Sequence, residues 1–169
     1  ILEMEVAEKL IDIIPCAEKV RFAKNGTDDT SAAIRIARAY TDNEHIAVCG
    51  YHGWRDWYIG STTRDLGEPK SVKKLTHTFE YNNIEQLEDI IKNNAGEIAA
   101  IKMEVSRNEV PKKGYLEKVR DLADENNIIL IFDECTSGFR ETYGGLHSKY
   151  DVFPDMIIYG KALGNGYAI

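Results

Sequence analysis

A lysine and an aspartate, each placed where an apolar run ends, are the residues of this chain best suited to chemistry. The run Met156-Ile157-Ile158-Tyr159 leads into Gly160-Lys161, and the small residues Ala162 and Gly164 follow closely. An amine held at such a turn can be desolvated, lose its proton and attack a carbonyl. The other reading of Lys161 is a solvated surface charge. The run Ile128-Ile129-Leu130-Ile131-Phe132 delivers Asp133 to the end of a second strand. A carboxylate there is costly to bury without a partner. That partner is either the protonated ring nitrogen of a ligand or, in the plainer reading, a helix cap or a salt bridge to Arg140. One buried acid and one amine at strand ends suit an electron-sink cofactor with a ring nitrogen and an aldehyde.

The elements around these residues alternate. Leu2, Val6, Leu10 and Ile13 recur at helical spacing, so residues 3–14 read as an amphipathic helix stopped by Pro15. Val20-Arg21-Phe22-Ala23 reads as a short strand, and Ser31 to Tyr40 as a helix. Ile46 to Cys49 is a buried strand, and residues 61–80 show little periodicity and read as an irregular excursion. A capped helix over Asn83–Ile91, a strand over Ile98–Glu104, a helix over Tyr115–Glu125 and the two strands ending at Asp133 and near Tyr159 complete the pattern. Strands alternating with helices predict an α/β fold, a mostly parallel sheet covered on both faces in three α/β/α layers. Ligands of such sheets bind beyond the carboxyl ends of the strands, where Asp133 and Lys161 both lie.

Two further segments fall at those ends. Gly26-Thr27 opens a helix, where free amides and the helix dipole suit a phosphate and Thr27 adds a hydroxyl. The plainer reading is an N-cap by Thr27 or Asp28. Asp28 and Asp29 oppose a phosphate unless they point away. The loop Tyr51-His52-Gly53-Trp54 offers aromatic faces just past a strand, suited to stacking on a flat ring or to plugging the core. His52 could equally be a satisfied polar residue or a surface one. No Ser/His/Asp elbow, phosphate-binding P-loop or dinucleotide glycine pattern occurs.

Composition narrows the classes. With 43% hydrophobic and 29% charged residues the chain reads as a soluble globular domain. A net charge of −7 argues against a nucleic-acid surface, and the apolar runs are too short for a membrane-spanning helix. The cysteines Cys16, Cys49 and Cys135 are scattered and odd in number, which predicts reduced thiols and a cytoplasmic location rather than a disulfide framework. No Cys/His cluster has metal-ligand spacing. The chain opens inside an apolar-periodic pattern and stops at Tyr167-Ala168-Ile169, soon after Lys161, which suggests a piece of a longer protein.

Four segments in order carry a resemblance. Asn25-Gly26-Thr27-Asp28, Tyr51-His52-Gly53, Ile131-Phe132-Asp133-Glu134 with Gly138-Phe139-Arg140, and Gly160-Lys161-Ala162-Leu163-Gly164 resemble the phosphate turn, ring-stacking loop, aspartate segment and Schiff-base lysine motif of class III aminotransferases. These are pyridoxal-phosphate enzymes of fold type I, and the glutamate-1-semialdehyde 2,1-aminomutase-like branch is the most similar. The resemblance covers essentially the whole chain. It implies that residues 1–169 are the central part of the large, cofactor-binding domain, with an N-terminal segment and a C-terminal small domain outside it. It implies pyridoxal 5'-phosphate as cofactor and an amino or keto small molecule as substrate. It further implies a homodimer, with neither nucleic acid nor membrane as partner.

Carried over residue by residue, Lys161 becomes the covalent anchor and proton shuttle, its proton affinity lowered by burial. Asp133 faces the pyridine nitrogen, and Gly26 and Thr27 hold the phosphate. Tyr51 stacks on one ring face with His52 in the same loop, Cys135 packs on the other face, and Asn108 approaches the ring hydroxyl. The chain departs from the pattern at Asn25, where serine is usual, at Asp28, where glutamate is usual, and at Val105, where proline is usual. Those departures bear on substrate choice and phosphate detail. Two other functions stand beside amino transfer on a semialdehyde: transamination of a keto-sugar or other ketone, and a non-catalytic scaffold that keeps the fold.

Overall fold

Short apolar runs rich in isoleucine, valine and alanine end at polar or glycine residues four times along the chain, and each becomes a strand of one sheet that a fifth, polar strand completes. The computed structural model describes residues 2–167, so of the apolar ending only Tyr167 falls within it. In chain order the elements are α1 (Leu2–Ile13), α2 (Gly26–Thr41), β1 (His45–Cys49), α3 (Asp56–Ile59), α4 (Lys70–Lys73), β2 (Thr76–Thr78), α5 (Ile84–Asn93), β3 (Ile98–Met103), α6 (Tyr115–Glu125), β4 (Ile129–Asp133), α7 (His147–Tyr150) and β5 (Met156–Ile158). A short 3₁₀ turn, Lys161–Gly164, follows β5.

The strands are all parallel in the order β2-β1-β3-β4-β5. Alternation sends Ala47, Cys49, Ile101, Met103, Leu130 and Phe132 to one face, under the apolar stripes of α5 (Leu87, Ile91) and α6 (Leu116, Val119, Leu122, Ala123). Ile46, Val48, Ala100, Ile131 and Ile158 face the other way, under Ala33, Ile34 and Ala37 of α2 and Trp57 and Tyr58 of α3. The three-layer α/β/α fold expected from the alternation is the fold observed. No helix among the described residues is long and apolar enough to cross a membrane.

Three local expectations are corrected. Val20–Ala23 forms no strand; Arg21 is exposed, the other three residues are only partly buried, and the segment joins no ladder. The helix expected from Ser31 begins at Gly26, because the Asn25 side chain accepts hydrogen bonds from the amides of Thr27 and Asp28 and caps it there. The stretch read as irregular contains α4 and β2. Thr76-His77-Thr78 is too short and polar to show periodicity, yet its backbone completes the sheet edge beside β1.

Candidate active site at the carboxyl ends of the strands

β4 and β5 run side by side with Asp133 opposite Ile158, so the lysine three residues beyond Ile158 sits at the same end of the sheet as the aspartate. Asp133 is 6% exposed. Its carboxylate has three polar neighbours. The amide of Cys135 reaches Oδ1 at 3.2 Å, Lys102 Nζ reaches Oδ2 at 2.6 Å, and His52 Nδ1 lies 3.0 Å from Oδ2. Lys102 and the Cys135 amide take two of the roughly four lone-pair positions of a carboxylate, so room for a further donor remains on this group. Burial alone would raise the Asp133 pKa, but Lys102 and His52 more than offset it and hold the carboxyl well below its usual range. Arg140 is not its partner, since its Nε donates to the Thr136 carbonyl instead.

His52 is a satisfied polar residue, not a surface one, and its ring packs against the core aromatics Trp57 and Tyr58. It is 3% exposed, its Nε2 lies 2.9 Å from the carbonyl oxygen of Cys49, and its other nitrogen faces Asp133. Burial, with Lys102 alongside, pushes its pKa down to about 4, so the ring is neutral at physiological pH. Tyr51 is 55% exposed with the Arg107 guanidinium 5.8 Å from its ring centre, leaving an aromatic face open.

Lys161 takes a left-handed backbone, φ 45°, which is costly for a residue with a Cβ and is concentrated at functional sites. Its side chain is exposed and Nζ donates to Thr136 Oγ1 at 2.9 Å, so the expected burial of the amine is not met. Cys135 is wedged between two glycines: a Cβ at Gly26 would stand 3.0 Å from its Sγ and one at Gly160 would stand 3.4 Å away. Burial pushes its thiol up to about 12, so it serves as packing and not as a nucleophile.

Close approach also joins the aromatic loop to the start of α2. Gly53 has φ 94°, and a Cβ there would lie 2.8 Å from Thr27 Oγ1. Only glycine allows both the turn and the contact. Asp28 is drawn off by Arg55 and the Asn25 amide, which answers part of its conflict with an anion at this end. Asn108 is exposed in the loop after β3, and among the described residues no hydrogen bond joins it to this cluster.

Gly26, Thr27, Tyr51, His52, Asp133, Cys135 and Lys161 thus converge on one end of the sheet, and Asn108 lies in the loop that leaves β3 at that end, without a hydrogen bond to them among the described residues. The donor set fits a flat ring with an acidic N–H and an anionic arm: a buried acceptor, an open aromatic face, an amine and a long helix's first turn. Lys102, Thr136 and Arg107 belong to the same end and were missed from sequence. The signal for Lys102 was present, as a lone cation inside the apolar run Ile98–Met103. Such a residue demands a carboxylate on a neighbouring strand.

Comparisons with known proteins place this geometry. The family model for Aminotransferase class-III matches residues 2–169. A 3-aminobutyryl-CoA aminotransferase of Cloacimonas acidaminovorans is 39% identical over 99% of the chain and 41% of its own length. A glutamate-1-semialdehyde 2,1-aminomutase of Francisella philomiragia is 40% identical over 99% of the chain and 42% of its own length. The chain therefore spans about two fifths of these relatives. Among solved structures, an omega-transaminase from Sphaerobacter thermophilus superposes with a TM-score of 0.89 at 30% identity, over 98% of this chain and 42% of that one. A transaminase with PLP bound gives 0.91 at 27% identity, over 99% and 42%.

Proposed function

We propose that this chain, which belongs to the class III aminotransferase family, is the central part of the large domain of an enzyme that moves an amino group on pyridoxal phosphate. The observation that carries this reading is the pairing of a buried, ionised Asp133 at the end of β4 with a strained Lys161 just past the end of the adjacent β5. Pyridoxal phosphate, when bound, supplies an aldehyde for condensation with amines and a ring that withdraws electrons from the substrate carbon.

The side chains divide the remaining work. Lys161 Nζ is the covalent anchor and afterwards takes and returns a proton at the substrate carbon, with Thr136 holding it in place. Asp133, kept ionised by its neighbours, turns a remaining lone pair to the ring nitrogen. Gly26 and Thr27 hold the phosphate at the N-terminus of α2. Tyr51 covers one ring face and Cys135 the other, and together they exclude water from the ring. His52 lies against Asp133 and Lys102 and helps to hold the carboxylate in place. Asn108 is assigned to the ring hydroxyl on resemblance alone.

The substrate is a small amino or keto compound. A homodimer is assigned on resemblance alone; a cytoplasmic location without a nucleic-acid partner agrees with the free cysteines and the acidic charge. The reading is tested by mixing the intact protein with pyridoxal phosphate: a visible absorbance band that survives dialysis supports it. No band favours a scaffold that has kept the fold. Assays with glutamate semialdehyde alone, and with an amino donor plus keto-acids or keto-sugars, then separate aminomutase from transaminase. Relatives of both kinds match this chain almost equally well.

A further inference from the structure

Lys102 is wholly buried in β3, flanked in the sheet by Val48 of β1 and Ile131 of β4. A lysine at 0% exposure needs a strong reason. Its Nζ lies 2.6 Å from Asp133 Oδ2 and 3.1 Å from His52 Nδ1. The histidine decides the proton positions. Its Nε2 faces the carbonyl of Cys49, which can only accept, so Nε2 carries a proton. Nδ1 then has two choices. If it also carries a proton, it donates to Asp133, and Lys102 must be neutral to avoid two cations 3.1 Å apart. If it is bare, it and Asp133 Oδ2 are two acceptors 3.0 Å apart, a contact held only by a Lys102 ammonium that donates to both. Burial lowers the proton affinity of His52 and of Lys102 alike, but Asp133 lies closer to the lysine, 2.6 Å from Nζ against 3.0 Å from Nδ1, and so favours the charge on lysine with Nδ1 bare. The other titratable groups facing this cluster are acids, a thiol and a phenol: Asp29 of α2, Tyr58 of α3 against the His52 ring, Glu104 after β3 and Cys135 after β4. None of them supplies a second cation.

We propose that Lys102 is a positioning residue acting through Asp133 and His52: its ammonium fixes His52 as the neutral Nε2–H tautomer and shares the Asp133 carboxylate with the ring nitrogen of the cofactor. The ring nitrogen then holds its proton less tightly than it would beside an uncompensated carboxylate, so the electron demand of the ring is moderated. This last consequence rests on the pyridoxal-phosphate reading; the state of His52 does not.

The test begins without cofactor. In the intact, histidine-labelled protein, nitrogen NMR should show His52 neutral, protonated at Nε2 and bare at Nδ1, from about pH 6 to 8. An imidazolium, or an Nδ1–H tautomer, in the wild-type protein overturns the proposal with no variant needed. Lys102→Met keeps the length and bulk of the side chain and removes the charge. It should raise the His52 pKa by about one unit or more, because a cation in contact is lost, and shift the Nδ1 signal towards a protonated form. A folded Lys102→Met protein with unchanged His52 signals also overturns it. With ring-labelled pyridoxal phosphate bound, Lys102→Met should bind the ring-nitrogen proton more tightly, with the visible band retained. An unmoved ring nitrogen overturns the cofactor half of the proposal. Absence of a visible band in wild type, with His52 behaving as described, sinks the functional reading and leaves the Lys102–His52–Asp133 assignment standing.

Discussion

Replacing Glu134 by glutamine should destabilise the protein in a strongly pH-dependent way. Glu134 and His147 are both fully buried. Oε1 accepts the His147 amide at 2.8 Å and ring Nδ1 at 2.7 Å, while Oε2 accepts the Leu146 amide at 2.7 Å and Ser137 Oγ at 2.8 Å. Burial pulls the His147 pKa down, but Cys16 and Glu134 outweigh it and raise the group to about 9 from 6.5. That rise corresponds to roughly 3 kcal/mol in favour of the folded, charged form. A raised pKa gives stability that is complete below the unfolded value and is lost as pH climbs through the folded one. The Glu134 carboxyl is shifted the other way: burial would raise its pKa, but the four donors lower it on balance, so its share fades only in acid. Cys16 supports part of that rise, so Glu134→Gln should cost up to about 3 kcal/mol between about pH 5 and 6.5, shrinking to about 1 kcal/mol, the loss of well-matched amide bonds, by about pH 10. Urea midpoints of wild type and variant, measured across that range, read the gap directly. A gap of the same size at pH 6 and pH 10 would refute the ion-pair account. Because this clamp closes the loop that carries Cys135 and Thr136, the variant should also hold pyridoxal phosphate less tightly.

Three other expectations concern the site and the core. Asp133→Ala should retain part of the cofactor but lose turnover by about 10²-fold or more, as when a preorganised charge is removed from a reacting centre; near-normal turnover in a steady-state assay removes the role given to it. Gly53→Ala should lower stability by about 1–2 kcal/mol, through its positive φ and its contact with Thr27, and weaken cofactor retention, both readable in one thermal melt with and without pyridoxal phosphate. Phe132→Ala, at 0% exposure beside Asp133, should cost about 3–5 kcal/mol as a core cavity, and a urea midpoint within error of wild type would contradict the packing described.

Periodicity located most of the scaffold because each buried face repeats within one element. The stripe Leu116, Val119, Leu122 and Ala123 is legible in α6 without its partners, and all four residues are buried. The strand endings at Asp133 and near Lys161 were legible for the same reason. What one dimension hides is which strands are neighbours. β3 lies between β1 and β4, and only that order brings Lys102 against Asp133 and His52. His52 could not be assigned from its loop, because its role is set by the Cys49 carbonyl and by a carboxylate on another strand. β2 escaped notice because its pairing is made by backbone groups, with threonine and histidine side chains that show no apolar pattern. The exposure of Lys161 was equally invisible, since it depends on how the turn after β5 leaves the sheet.

The central claim is that Lys161, and no other lysine, carries the cofactor. Incubating the intact protein with pyridoxal phosphate, reducing it with borohydride and mapping the peptides would fix the cofactor permanently on its attachment point. The account predicts the added mass on the peptide containing Lys161, and no stable visible band in Lys161→Ala. Attachment at Lys102 or another lysine, or an unchanged spectrum in Lys161→Ala, would contradict it.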